Sequence, residues 1–135
     1  MTILVVAAVL WRDGRLFLAR RAAHKNMGGK WEFPGGKVES RETPEAALER
    51  ELHEELGIAT QTGQFLCQSD FWHQGRKYRL LAYETTLLSG QPCLSSDHDA
   101  MAWVLPSELP EYDLSPADDE LALFLRTSTP RTDIA

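Results

Sequence analysis

Cysteine is scarce in this chain: two occur in 135 residues, Cys67 and Cys93, and they are not in a C-x-x-C arrangement. That gives no footing for a disulfide framework or a cysteine-based zinc site, and it leaves two isolated thiols of the kind a reducing compartment tolerates. Long apolar runs are also absent. The longest, ILVVAAVLW at residues 3–11, falls well short of the roughly 18 residues needed to span a bilayer. It has no basic segment before it and runs directly into the charged turn RDG, so it reads as a buried strand rather than a signal peptide. A cytoplasmic location, with no membrane partner, is the resulting expectation. Positive charge is in deficit as well, with 14 Lys and Arg against 20 Asp and Glu, a net charge of −6. A nucleic acid polymer needs a basic face and is excluded as a partner. A small anionic ligand is not, provided a few cations or a bound metal hold it. Internal repeats, linkers and low-complexity segments are missing too. The length suits one domain, placed at residues 1–128 with a frayed tail at 129–135. No interface stripe stands out, so the sequence carries no reading of oligomeric state.

What is present reads as strands interspersed with two helices. The run at 3–11 suits a central strand covered on both faces. RDGR at 12–15 carries the Asp-Gly hairpin signal, and LFLAR at 16–20 is its partner strand. A polar loop fills 21–30, WEF is a short strand, and PGG ends it. The clearest helix spans 44–56: Thr43 suits the N-cap, Pro44 the first helical position and Gly57 the left-handed C-terminal position. Ala47, Leu48, Leu52 and Leu56 form its apolar stripe. Residues 62–74 and 77–88 read as two long strands around HQGRK, and 100–105 as another. SPADDELALFLRT at 115–127 reads as a second helix, capped by Ser115 with Pro116 first in the helix. The expected architecture is α/β, a mixed sheet with helices on both faces.

The first helix carries three glutamates in five residues, Glu51, Glu54 and Glu55. Successive side chains on a helix turn by about 100°. With Glu51 at zero, Glu55 lies at about +40° and Glu54 at about −60°, beside the leucine stripe at about +60° to +140°. The acidic arc therefore borders the buried face, where a solvated charge run would lie opposite it. Like charges this close repel, and they crowd the negative end of the helix dipole. Two readings of RELHEELG stand: an acidic surface face with Glu–Arg pairs, or an oxygen-only site for a hard cation such as Mg²⁺ or Mn²⁺.

The flanking residues extend the pattern. From Gly36 to Ile58 the chain reads G-x5-E-x7-R-E-L-x-E-E-x-G-I, which fits the Nudix box at every defined position. The N-terminal strand, ARRAAHKNMGGKWEFPGGKVE and the later SPAD resemble the MutT-like and bacterial CTP pyrophosphohydrolase branch of the Nudix hydrolase superfamily. The resemblance implies the Nudix fold and hydrolysis of a nucleoside triphosphate to the monophosphate and pyrophosphate, with Mg²⁺ as cofactor and Mn²⁺ as a substitute. The bases it brings into view are cytosine, as CTP, dCTP or a 5-substituted dCTP, and oxidised purines such as 8-oxo-dGTP. It implies Glu51, Glu54, Glu55 and the Gly35 carbonyl as metal ligands, Glu42 as a partner of Arg50, and Arg50 as the residue holding the carboxylates in place. Glu54 or Glu51 is the expected general base.

Further positions follow from the same resemblance. Asp97 stands six residues before Trp103, where an additional acidic metal ligand is frequent. Asp is shorter than the usual Glu, His98 and Asp99 are alternatives, and an ordinary polar turn accounts for the same residues. Arg21 matches an arginine that contacts substrate phosphate or base, and Phe33 a ring that stacks on the base or simply fills the core. Asp118, in SPAD, falls at the base-reading position, where an ionised carboxylate only accepts hydrogen bonds. A helix-dipole role explains it equally. Other branches, acting on different nucleoside diphosphate derivatives, carry extra motifs or an added N-terminal region, and ligand-sensing members have a degraded box. The box here is intact.

Overall fold

A computed structural model describes residues 1–127 of the chain. The expected frayed tail at 129–135 lies outside the described residues. The elements in order are strands β1 (Thr2–Arg12), β2 (Arg15–Arg21), β3 (Trp31–Glu32) and β4 (Gly35–Lys37), helix α1 (Pro44–Leu56), strands β5 (Ala59–His73), β6 (Arg76–Ser89) and β7 (His98–Val104), short 3-10 turns at Pro106–Glu111 and Pro116–Asp118, and helix α2 (Asp119–Thr127).

β1 is the central strand, as its unbroken apolar run requires. One edge pairs in parallel with β6, from Thr2 opposite Lys77 to Leu10 opposite Thr85. The other edge is divided. Its inner half pairs antiparallel with β4 and its outer end with β2, through Trp11–Leu16 and Arg12–Arg15. β2 in turn pairs with β3 and β7, and β6 with β5, so the sheet is mixed. Both hairpin tips place two successive residues at positive φ, Asp13–Gly14 and Gln74–Gly75, which matches the twist of the flanking strands.

Alternation along β1 sends side chains to two separate cores. Val6, Ala8 and Leu10 pack with Phe17 and Tyr83 under Leu48, Leu52 and Leu56 of α1. Ala7 and Val9 pack with Leu16, Leu18 and Val104 under Leu109 and the Leu121 and Leu125 side chains of α2. Burying each such leucine contributes about 2 kcal/mol, and that is what fixes α1, with its acidic border, against the sheet. The helix ends are set locally. Thr43 Oγ1 accepts from the Ala46 N–H at 3.1 Å, and Gly57, at φ +70°, donates to the His53 carbonyl.

Three features differ from the sequence expectations. The WEF strand does end before PGG, but the glycines open an unexpected strand: Gly35–Lys37 forms β4, because pairing with β1 supplies the hydrogen bonds that glycine propensity does not predict. The second helix begins with a 3-10 turn and is α-helical only from Asp119. Ser115 makes no side-chain cap there, and its backbone N–H donates to the Trp31 carbonyl at 2.8 Å. Finally, β5 and β7 start earlier than their apolar patterns suggest, since ladder pairing extends past the last large side chains.

Candidate active site

The site is built where β4, α1, β3 and the start of β7 converge. Gly35 sits so close to β1 that a Cβ would collide with the Val6 carbonyl, and a Cβ on Gly36 would collide with the Glu51 carboxylate. Two glycines are therefore what lets the strand lie flat under the acidic edge of α1.

Arg50 organises one side of that edge. It grips Glu42 with two hydrogen bonds, Nε to Oε2 at 2.6 Å and Nη2 to Oε1 at 2.9 Å. Its Nη1 donates to both Glu51 and Glu54 at 3.0 Å, and Nη2 also reaches the Lys37 carbonyl. Hydrogen bonding from Arg50, with the Glu39 N–H, holds the Glu42 carboxyl down at about 2. The guanidinium is pushed up in turn, chiefly by Glu42. The Glu51 carboxyl is raised by burial, which outweighs the opposing bond from Arg50.

Glu55 is in a different situation. Its Oε1 is enclosed and has no hydrogen-bond partner. Burial pushes its pKa up to about 8, with the negative charges of Glu51, Glu32 and Asp97 adding to the effect and His98 opposing it. Among the described residues no three His, Cys, Asp or Glu converge as they stand on one ligand position, and one oxygen each of Glu51 and Glu54 is bonded to Arg50. The residues nonetheless fit a divalent cation. An unpartnered buried carboxylate oxygen, a second carboxylate beside a glycine and only oxygen donors are what a hard cation requires.

The other expected residues lie on the β3–β7 side. Arg21 donates to Glu32 Oε2 (3.4 Å) and to the Asn26 carbonyl (2.7 Å). The Asp97 carboxylate pairs with Lys25 at 3.2 Å. Asp99, one of the alternatives to it, faces away and pairs with Arg20 at 2.7 Å. The Phe33 ring is buried in the α2-side core, and its backbone N–H, not its ring, meets Asp118 Oδ2 at 3.3 Å. Asp118 is buried. Burial and the Glu32 charge raise its carboxyl well above the ordinary range, more than the Phe33 N–H lowers it. Burial thus favours the protonated form, which donates as well as accepts, over the acceptor-only carboxylate.

Two residues of this cluster are not assigned by sequence reasoning. Glu32 has a single signal, an acid lodged between the aromatic residues Trp31 and Phe33. His98 enters only as a substitute ligand, yet its side chain is fully enclosed and its Nε2 donates to Glu32 Oε2 at 2.8 Å. Trp72 lines a cleft of roughly 410 Å³ with Met1, Thr2, Ile3, Arg76 and Lys77. None of the acidic residues of the site lines it.

Known proteins resemble this chain along nearly its whole length. It is 40% identical over 129 residues to the CTP pyrophosphohydrolase of Escherichia coli strain K12, covering 93% of this chain and 95% of that one. It is 31% identical over 123 residues to the 8-oxo-dGTP diphosphatase of the same organism, covering 91% and 95%. The crystal structure of a MutT Nudix hydrolase from Burkholderia pseudomallei superposes with a TM-score of 0.82 at 32% identity, covering 96% of this chain and 99% of that one. The NUDIX domain matches residues 1–125, and with the acidic helix edge laid against a glycine strand as the box demands, the chain belongs to the Nudix family and is a MutT-like hydrolase of it.

Proposed function

We propose that the protein hydrolyses nucleoside triphosphates to the monophosphate and pyrophosphate, with Mg²⁺ as its cation and the cytoplasm as its compartment. The observation that carries this is the unpartnered Glu55 oxygen beside Glu51 and Gly36, a polar hollow that a cation completes. Glu51, Glu54, Glu55 and the Gly35 carbonyl would hold the cation, with Asp97 reaching in from β7. A bound divalent cation supplies neutralisation of the polyphosphate charge and lowers the pKa of coordinated water.

The chain's own residues do the rest. Arg50 holds Glu51 and Glu54 on the same edge of the helix, which limits the rearrangement they undergo when a cation binds. Water attacks the β phosphorus, and the bond from that phosphorus to the α–β bridging oxygen breaks. The bridging oxygen leaves with the monophosphate, and the attacking water's oxygen stays in pyrophosphate. The water's proton passes to a box carboxylate, Glu54 or Glu51. Arg21, held by Glu32, supplies positive charge to the phosphates.

Asp118 is the base-reading group. A neutral carboxylic acid offers one donor and one acceptor side by side, complementary to the N3/N4 edge of cytosine. It also fits the O6/N7–H edge of 8-oxoguanine. The similarity to the CTP pyrophosphohydrolase favours the pyrimidine. Turnover across a panel of canonical, 5-substituted and oxidised triphosphates, read as phosphate after added pyrophosphatase, ranks them. Failure to hydrolyse any triphosphate with Mg²⁺ overturns the proposal.

A further inference from the structure

Removing a histidine ring from water and leaving one of its nitrogens without a partner is costly, and a leucine would fill the same space without that cost. His98 does both: its side chain is fully enclosed and its Nδ1 has no partner. The backbone makes a specific adjustment to put it there. Arg20 lies opposite Ala100 and Arg21 opposite His98, so β7 carries one extra residue at this point. The bulge sends Asp99 out to Arg20 and His98 in toward Glu32. A departure from regular pairing that places an expensive residue marks a functional constraint.

From His98 a hydrogen-bonded chain crosses the site. Its Nε2 donates to Glu32 Oε2 at 2.8 Å, and the same oxygen accepts from Arg21 Nη1 at 3.4 Å. Arg21 Nε donates to the Asn26 carbonyl at 2.7 Å, and Asn26 Nδ2 bonds His73 Nε2 at the tip of the β5–β6 hairpin, at 3.0 Å. Glu32 is thus held from behind by His98 while it holds Arg21 in front.

We propose that His98 is a positioning residue, which locks the Glu32 carboxylate so that Arg21 is presented to the substrate phosphates in one orientation. Its role for Arg21 rests on the triphosphate reading above, and the test separates the two. His98→Leu removes the donor while keeping an apolar filler. With Glu32 released, KM for the preferred triphosphate rises about tenfold while kcat changes less than about twofold, the pattern of lost ground-state binding. In an Arg21→Ala background the same substitution has no further effect on KM, because the coupled partner is already gone. Independently of turnover, the Arg21 Nη1–H resonance, whose proton is donated to Glu32, is expected to exchange slowly with solvent in the wild-type protein and fast in His98→Leu.

An unchanged KM in folded His98→Leu, or the same tenfold rise with Arg21 absent, overturns the proposal, as does an Arg21 resonance that His98→Leu leaves unaltered. Should His98→Leu fail to fold, Glu32→Gln takes its place in the double-mutant and resonance measurements, and the same results support or overturn the proposal. If the wild-type protein hydrolyses no triphosphate, the functional reading fails, and the Arg21 resonance alone decides the role of His98.

Discussion

The acidic border of α1 has two ends that are treated oppositely. At one end Arg50 satisfies Glu42, Glu51 and Glu54 with four hydrogen bonds and gives a fifth to the Lys37 carbonyl. At the other, Glu55 is one residue along from Glu54 and has an enclosed oxygen with nothing to bond. Local sequence does not distinguish them, since both are glutamates on one arc of one helix. The difference lies in what the rest of the fold brings up. A guanidinium fixes geometry at the outer end. At the inner end Glu32 and Asp97 crowd in, with His98 as the counterweight. The result is a division of labour: the satisfied end positions, and the unsatisfied end keeps an oxygen free to become the ligand of an incoming cation.

Neutralising a carboxylate at the satisfied end puts this contrast under the greatest stress. Glu54→Gln is expected to lower kcat by about 10²–10³-fold while its melting temperature holds, because one of three mutually repelling charges is removed. Full turnover in the folded variant refutes its assigned role. Arg50→Lys comes next. A lysine cannot reproduce the planar fork that grips Glu42 while serving Glu51 and Glu54, so kcat is expected to fall by about 10–100-fold with little change in KM. Steady-state kinetics that match wild type would mean that the ion-pair cluster is only scaffolding.

Asp118 tests the inner end. Asp118→Ala removes both the donor and the acceptor, and kcat/KM for the preferred base is expected to fall by about 10–100-fold. Asp118→Asn keeps one of each and stays within a few-fold. Equal losses in the two variants would show that the acid works ionised.

The smallest effect expected is on stability against pH, and it separates the two ends directly. The Glu55 carboxyl stands at about 8 in the fold against an ordinary 4.5. Between those values the folded state keeps a proton that the unfolded state has lost, so stability of the metal-free protein falls as pH rises from 4.5 to about 8 and levels off above. Glu42, lowered to about 2, works the other way, contributing stability above 4.5 that is lost as pH falls toward 2. Melting curves in chelator should therefore peak at mildly acidic pH. Glu55→Gln should flatten the alkaline limb, and added Mg²⁺ should raise it most where Glu55 ionises. An alkaline limb that persists in Glu55→Gln assigns the slope to another group.

How much of this was legible in the sequence follows from where each signal resides. The bounds of α1 were readable to the residue because Thr43, Pro44 and Gly57 act within four residues of themselves. The central place of β1 was readable because a strand covered on both faces cannot alternate. β4 was not, since Gly35 and Gly36 become a strand only through their approach to Val6 and Ala7. In the site, the glutamates and Arg50 stood out by spacing along one helix. Glu32 and His98 did not, because 66 residues separate them and the bulge that joins them depends on β2–β7 register. The upward shift of the Asp118 carboxyl was equally hidden, being a property of its burial and not of SPAD.

The parallel pairing of β1 with β6 also governs how the molecule is made. Thr2 must wait for Lys77, and Leu10 for Thr85. At ribosomal rates of about 5–20 residues per second, the most apolar segment of the chain spends roughly 4–15 s with one edge uncovered. Its opposite edge gains company far sooner, from the β2 hairpin and then from the glycine strand. The catalytic platform can thus begin to assemble on a half-dressed strand during translation, and the protein's exposure to misassembly is set by the interval between its first strand and its sixth.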